Sequence, residues 1–406
     1  MLWVDVAKGV CILLVVLHHA VVKDLALQTP APLSAVADAW HWVTMALKPV
    51  RMPLFFVLSG LVASGAVRRP WAQARRRVLS PYYLYVVWLV LQGAFFSVER
   101  LLPMNRTQDL GELVADLVWA STGLWFLYAL AVYFALARLL SGLPVLPVLA
   151  ASTVVSALAG LLPTDDWNRV SVVFHFTFFA VGALAPDLVR RWAGPASRVP
   201  RRLGLAYLAL VVVLPLLGVP RISVMLVASV VGVPLGIGLC VRLAEGRAAR
   251  VLAWLGRRTL PIYVLHAPLL ALALHLPSPI GTGWLGAAEA TAYPVLLSAV
   301  AVAAALALHA VLRRLGADAL FELPRRPRGP RVPAARRARR GCSPRQRPPG
   351  RRGQRRVRSS GGRGEAPSQV KEGAAGALNP RRIGHRAGLR TPGRPETPLS
   401  HLSGTR

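Results

Sequence analysis

Residues 6–25 read VAKGVCILLVVLHHAVVKDL. At 1.5 Å per residue, a helix of this length spans about 30 Å, the thickness of the hydrocarbon layer of a bilayer. A secretory signal has a basic leading segment and a shorter apolar run. Here Asp5 accompanies Lys8 and the run is long, so the segment reads as a retained spanning helix.

The same signal recurs along the chain. Apolar stretches at 50–67, 78–97, 113–138, 144–162, 170–187, 203–219, 222–242, 259–276 and 293–312 complete a set of about ten transmembrane helices. This predicts an all-α polytopic membrane protein, a multi-pass component of the cell membrane with the lipid bilayer as its surroundings. The stretch 30–48 is less apolar and reads as a loop carrying an interfacial helix with Trp40 and Trp42. Gly218, Pro220 and Arg221 mark a tight turn between the seventh and eighth spans.

Composition agrees. Of 406 residues, 54% are hydrophobic and only 16% charged, and mean hydropathy is +0.47. A soluble fold has no way to hide so much apolar surface. The formal charge of +32 divides unevenly: residues 325–406 hold 23 basic and 3 acidic residues, a net of +20. The chain therefore divides into a membrane-embedded body, 1–324, and an Arg/Pro/Gly-rich tail, 325–406, too poor in apolar residues to form a core and expected to be disordered. Such a tail fits a polybasic lipid contact, a nucleic-acid contact or a plain extension. The body needs no nucleic acid, and none is expected as a partner.

Orientation follows from the basic residues of the body. With a cytoplasmic N-terminus, 19 of them fall in inside segments and 7 outside, which places both termini in the cytoplasm. The three cysteines, Cys11, Cys240 and Cys342, form no CxxC pair, so neither a disulfide framework nor a metal site is indicated.

Ionisable groups inside spanning helices are costly and mark candidate sites. The first span holds His18 and His19 in its outer half, with Lys8 eleven residues below, about 16 Å along the helix. Imidazole ordinarily titrates near neutrality, so a buried His can act as a general base, or simply hydrogen-bond a neighbouring helix. Arg51 opens the second span in RMPLFFVLSG, residues 51–60, as a snorkelling anchor or an anion clamp. Arg75, Arg76 and Arg77 precede the third span as positive-inside anchors or a phosphate site. The aromatic run 125–128, WFLY, fits lipid-facing residues. His175 lies at a depth comparable to His19, His266 near mid-membrane, and His309 near the cytoplasmic end, where it reads as structural.

Together these residues resemble the acyltransferase 3 family of membrane O-acyltransferases. Val4 to His19 is similar to the family's opening, an Asp and a basic residue before an apolar run ending in His. Arg51 to Gly60 resembles its MPLFFFLSG stretch, Trp125 to Leu127 its WFL signature, and Leu260 to His266 (LPIYVLH) its LPIYLLH element. The four occur in family order over residues 3–315, and the DxxKG form is closest to the sugar O-acetylase branch. The resemblance implies an acyl-CoA donor, commonly acetyl-CoA, used as co-substrate with no bound cofactor, and a hydroxyl acceptor on an envelope glycan or small molecule. It implies His19 as the catalytic histidine, here read as the general base, and makes Lys8, Arg75 and Arg77 candidate donor contacts. Arg51, His175 and His266 are the candidate acceptor or oxyanion groups from their own position in the spans. Two positions depart from the pattern. Ala74 stands where the family has a basic residue, and His18 where it often has a small one. A proton-coupled transporter, using buried His and Arg as relays, is the alternative reading of the same bundle.

Overall fold

The computed structural model describes residues 1–103, 110–194 and 201–324, apart from the Arg201 side chain. The tail 325–406, with Cys342, and the outside and inside arginines Arg106 and Arg198 lie outside the described residues. All regular secondary structure among the described residues is helical. Helix α1 (Leu2–Ala20) passes through a π-helical turn (Val21–Leu25) into α2 (Ala26–Gln28). Then come α3 (Ser34–Ala46), α4 (Lys48–Val67), α5 (Trp71–Val98), α6 (Leu110–Trp119) and α7 (Trp125–Leu140). They are followed by α8 (Val145–Leu158), α9 (Trp167–Leu184), α10 (Pro186–Trp192) and α11 (Arg201–Leu216). Helices α12 (Arg221–Leu243), α13 (Ala249–Gly256), α14 (Thr259–Ala273) and α15 (Gly283–Arg314) close the set.

Five helical segments are long and apolar enough to cross a membrane: Leu2–Gln28, Ala31–Val67, Trp71–Val98, Arg221–Leu243 and Gly283–Arg314. The bent pair α9–α10, turned by 88°, makes a sixth if it is one span. The bend falls at Pro186, which has no N–H to continue the ladder. Helices α7, α8, α11 and α14 are apolar but shorter. Leu91, Leu139, Leu146, Val154, Leu208 and Leu296 all point outward and are exposed, as lipid-facing side chains are. The chain is a multi-pass membrane protein. Its helices satisfy their own backbone groups, which is the only arrangement of an apolar segment that hydrocarbon tolerates.

Three expected segments take a different form. In 30–48 the expected helix with Trp40 and Trp42 is present as α3, but it leads into α4 with only Leu47 between them instead of ending in a loop. Pro49 cannot donate to the Met45 carbonyl, so the ladder lapses there, and Tyr207 hydroxyl donates to the Ala46 carbonyl beside the lapse. The expected span 113–138 is broken into α6 and α7. Ala120 takes a positive φ of 50°, and residues 121–124 turn the chain. The last helix extends to Gly283, well before residue 293.

The bundle is held by close backbone approach at small residues. A Cβ on Gly60 of α4 would lie 2.1 Å from the Phe179 carbonyl oxygen of α9, and one on Gly182 would lie 2.0 Å from that of Val57. Gly9 of α1 and Gly256 of α13 face Leu252 and Asp5 in the same way. Without a hydrophobic drive between helices in lipid, such contacts carry much of the association. Asp5 also pairs with Arg257 at 3.6 Å, fixing the start of α1 on α13. Between α4, α7 and α9 lies an aromatic core of Phe55, Phe56, Phe126, Tyr133, Phe174 and Phe179. The WFLY run thus turns inward at Phe126 and Leu127, both buried, rather than toward lipid.

Candidate active site

Helix α1 presents one stripe, Lys8, Ile12, Val15 and His19, to a cavity of about 760 Å³. The spacing of four, three and four puts these residues on a single helical face. Helix α4 supplies the opposite stripe with Lys48, Arg51, Met52, Phe55 and Ser59. The cavity therefore runs along most of α1, from Lys8 past His19 to Lys23.

His19 is half-buried in this wall, and His266 of α14, itself buried, lines the same cavity beside it. His19 Nδ1 lies 2.7 Å from His266 Nε2. The ring centres are 4.9 Å apart and the planes differ by 3°. Two imidazoles meeting nitrogen to nitrogen at that separation share one plane, so this is an in-plane hydrogen bond rather than a face-to-face stack. The second nitrogen of His266 settles the direction. Nδ1 lies 2.6 Å from the Tyr263 carbonyl and 3.2 Å from that of Ile262. Carbonyls only accept, so His266 Nδ1 carries the proton and Nε2 is the acceptor. His19 Nδ1–H then donates to His266, and His19 Nε2 keeps a lone pair.

The same turn of α14 holds a second bridge. Tyr263 hydroxyl donates to the Gly123 carbonyl at 2.8 Å and accepts from the Phe126 N–H at 3.3 Å, spanning the break before α7. Gln92 of α5 donates to the Val264 carbonyl at 2.8 Å. That carbonyl is free because residue 268, its helical partner, is proline.

Arg51 is 3% exposed and lies in the cavity wall, so it is no snorkelling anchor. One Nη donates to the Leu14 carbonyl of α1 at 3.1 Å, and Nε has no partner among the described residues. Lys48, one turn earlier, sits 5.0 Å over the Trp167 ring. Asp165, Trp167 and Asn168, at the start of α9, line the same end of the cavity.

A second cavity, about 520 Å³, is lined by Gln73, Arg76, Arg77 and Ser80 and shares Lys8, Ser59 and Leu130 with the first. The basic recess and the His19 chamber are thus separated by the same three side chains. Arg77 faces the recess. Arg76 does so too, while also donating to the Leu323 carbonyl at 2.7 Å. Arg75 is exposed and lines neither cavity. Ala74 is fully buried, a position with no room for a cation.

His175 does not reach the chamber wall. It is 1% exposed, its Nδ1 bonds the Ser171 carbonyl at 2.7 Å, and it packs among Phe56, Trp125 and Phe174. His18 lines the chamber beside His19 with a buried Nδ1 that has no hydrogen-bond partner among the described residues. His309 packs on Phe321, away from both cavities. Sequence reasoning overlooked Gln92, Lys48 and Trp167 as wall residues, and Tyr263 as a bridge. The Pro268 that frees the Val264 carbonyl, and the Ser121-Thr122-Gly123 turn signal, were the available hints. Among the described residues no group of three or more His, Cys, Asp and Glu side chains is placed to hold a metal ion.

Comparison with known proteins supplies the lineage. The chain is 28% identical over 355 residues to "Inner membrane protein YcfT" of Escherichia coli (strain K12), over 80% of this chain and 97% of that protein. No solved structure matches it significantly. A family model described as an acyltransferase domain, that of acyltransferase 3, matches residues 1–310, three quarters of the chain and all of both cavities except their surroundings beyond α15. The chain belongs to the acyltransferase 3 family of membrane acyltransferases.

Proposed function

We propose that this protein transfers an acetyl group from cytosolic acetyl-CoA to a hydroxyl of an envelope carbohydrate, with His19 as general base. The observation that carries the reading is the His19 chamber, which adjoins a basic recess through Lys8, Ser59 and Leu130. A donor with a phosphate-rich head and a long thin arm suits that shape. Its phosphates would rest near Arg77, Arg76 and Lys8, and its thioester would lie roughly 16 Å away beside His19.

His266 holds His19 in the tautomer whose Nε2 can take a proton. Nε2 removes the proton of the acceptor hydroxyl, and that oxygen attacks the thioester carbonyl. The tetrahedral intermediate collapses with loss of the CoA thiolate, which takes the proton back from His19. Arg51, a buried cation next to the chamber, holds the acceptor. The aromatic wall of Phe55 and Phe126 limits water and so disfavours hydrolysis. The finer topology that fits this direction of transfer is about ten spans in an inner membrane, with both termini cytoplasmic.

The test uses purified wild-type and His19→Ala protein in lipid nanodiscs, with CoA thiol release followed in the presence of envelope glycan. The expected result is loss of glycan-dependent release in the variant. Undiminished release would exclude His19.

A further inference from the structure

We propose that the acceptor carries an anionic group, a carboxylate or a phosphate, held by Arg51 and Lys48 beside the reacting hydroxyl. The inference rests on the acyltransferase reading above and names the class of its second substrate.

Arg51 is buried in the chamber wall, yet it pairs with no carboxylate among the described residues. Its bond to the Leu14 carbonyl leaves Nε without a hydrogen-bond partner among the described residues. Lys48 lies one turn away on the same face of α4, in the same wall, and likewise has no carboxylate partner there. Trp167, in the wall between Lys48 and Arg221, has a buried Nε1–H with no acceptor among the described residues. Three donors of positive or polar character thus converge on one end of one cavity.

The carboxylates nearby do not neutralise them. Asp166 caps α9 through the Asn168 N–H at 2.8 Å and faces Arg169 at 3.5 Å, and Asp165 is exposed at the rim. A buried cation without a counter-charge is strongly disfavoured, and a ring face offsets only part of that cost. The missing charge is therefore assigned to a ligand. The phosphates of CoA are not that ligand: in the reading above the Arg77 recess takes them at the level of Lys8, six residues or about 9 Å down α1 from the Leu14 carbonyl that Arg51 touches, and the same group does not occupy both places. Arg51 touches α1 at Leu14, five residues or about 7.5 Å before His19, so a group bound there lies about a turn and a half from His19. That spacing fits a charged substituent and a hydroxyl on one sugar ring.

The experiment titrates methyl β-glucuronide, glucose 1-phosphate and methyl β-glucoside into the full chain in nanodiscs by calorimetry, with wild-type and Lys48→Gln protein. The expected result is that at least one anion binds about tenfold or more tightly than the glucoside, and that Lys48→Gln removes this preference while leaving the melting temperature unchanged. Which anion gains identifies carboxylate or phosphate as the source. Equal binding of all three, no binding of either anion, or a preference that survives Lys48→Gln overturns the proposal. Acetyl-CoA turnover with each compound separates the two readings. Equal acetylation of the glucoside defeats the anionic acceptor and keeps the transferase. Selective anion binding without any CoA release keeps the site and defeats the transferase.

Discussion

His266 Nε2 accepts from His19 Nδ1 at 2.7 Å, while its own Nδ1–H is spent on the Tyr263 carbonyl. In the proposed mechanism His266 orients His19 as the base. His266→Phe removes the acceptor and frees the His19 ring to rotate or change tautomer. We expect kcat to fall about 10²-fold or more, within the range of general-base contributions, with KM for acetyl-CoA little changed. His266→Gln, whose amide oxygen can accept the same proton, should recover part of kcat. Steady-state kinetics on both variants decides this, and equal losses in the two would deny the orienting role.

Leu130 stands at the boundary of the two cavities. Leu130→Trp should block the thin passage, abolishing acetyl transfer while CoA still binds in the recess. Calorimetric titration of CoA alongside turnover distinguishes blockage from unfolding. Full turnover in the variant would mean that the thioester arrives by another route.

Arg77 faces the recess and Arg75 does not. Replacing a charge-assisted contact to phosphate costs about 1.5–3 kcal/mol, so Arg77→Ala should raise KM for acetyl-CoA about tenfold or more. Arg75→Ala should change it less than about twofold. The opposite ranking would return the donor contact to Arg75.

Gly182 and Gly65 make an internal control. A Cβ at Gly182 meets the Val57 carbonyl at 2.0 Å, a backbone atom that cannot swing aside, whereas one at Gly65 meets nothing within 4 Å. Gly182→Ala should force α4 and α9 apart at a cost of about 1–3 kcal/mol. Gly65→Ala should be neutral or stabilise by up to about 1 kcal/mol, the helix preference of alanine over glycine. Thermal melting in one detergent compares them directly.

Tyr263→Phe removes both hydrogen bonds across the 120–124 break. Each is worth about 1 kcal/mol, and the Phe126 N–H loses its acceptor inside the bundle. A lower melting temperature and a reduced kcat are expected together. An unchanged melting curve would show that the break is held by other contacts.

Much of this was legible in the sequence. Apolar length placed α1, α5 and α12 closely, because hydrocarbon thickness fixes how long a spanning run must be. It failed at 113–138, where the Ser121-Thr122-Gly123 turn is hidden between two apolar runs. At 30–48 it indicated the helix with Trp40 and Trp42 but not its continuation into α4. At the site, the residue types at positions 8, 19 and 51 stood out as charge or imidazole in an apolar setting. The partnership of His19 with His266 did not, since 247 positions separate them. His175 had the right type and depth, but its side chain faces the aromatic core, and helical rotation is not encoded in hydropathy.

One turn of α14 performs two tasks. Its Tyr263 carbonyl grips His266, and its Tyr263 hydroxyl grips the start of α7. Any displacement of α7 that opens the chamber to water therefore tugs on the peptide that aligns the proton acceptor. Under the proposed mechanism a leaking enclosure would thereby also disturb the base, so that the linkage that permits use of the thioester would also safeguard it.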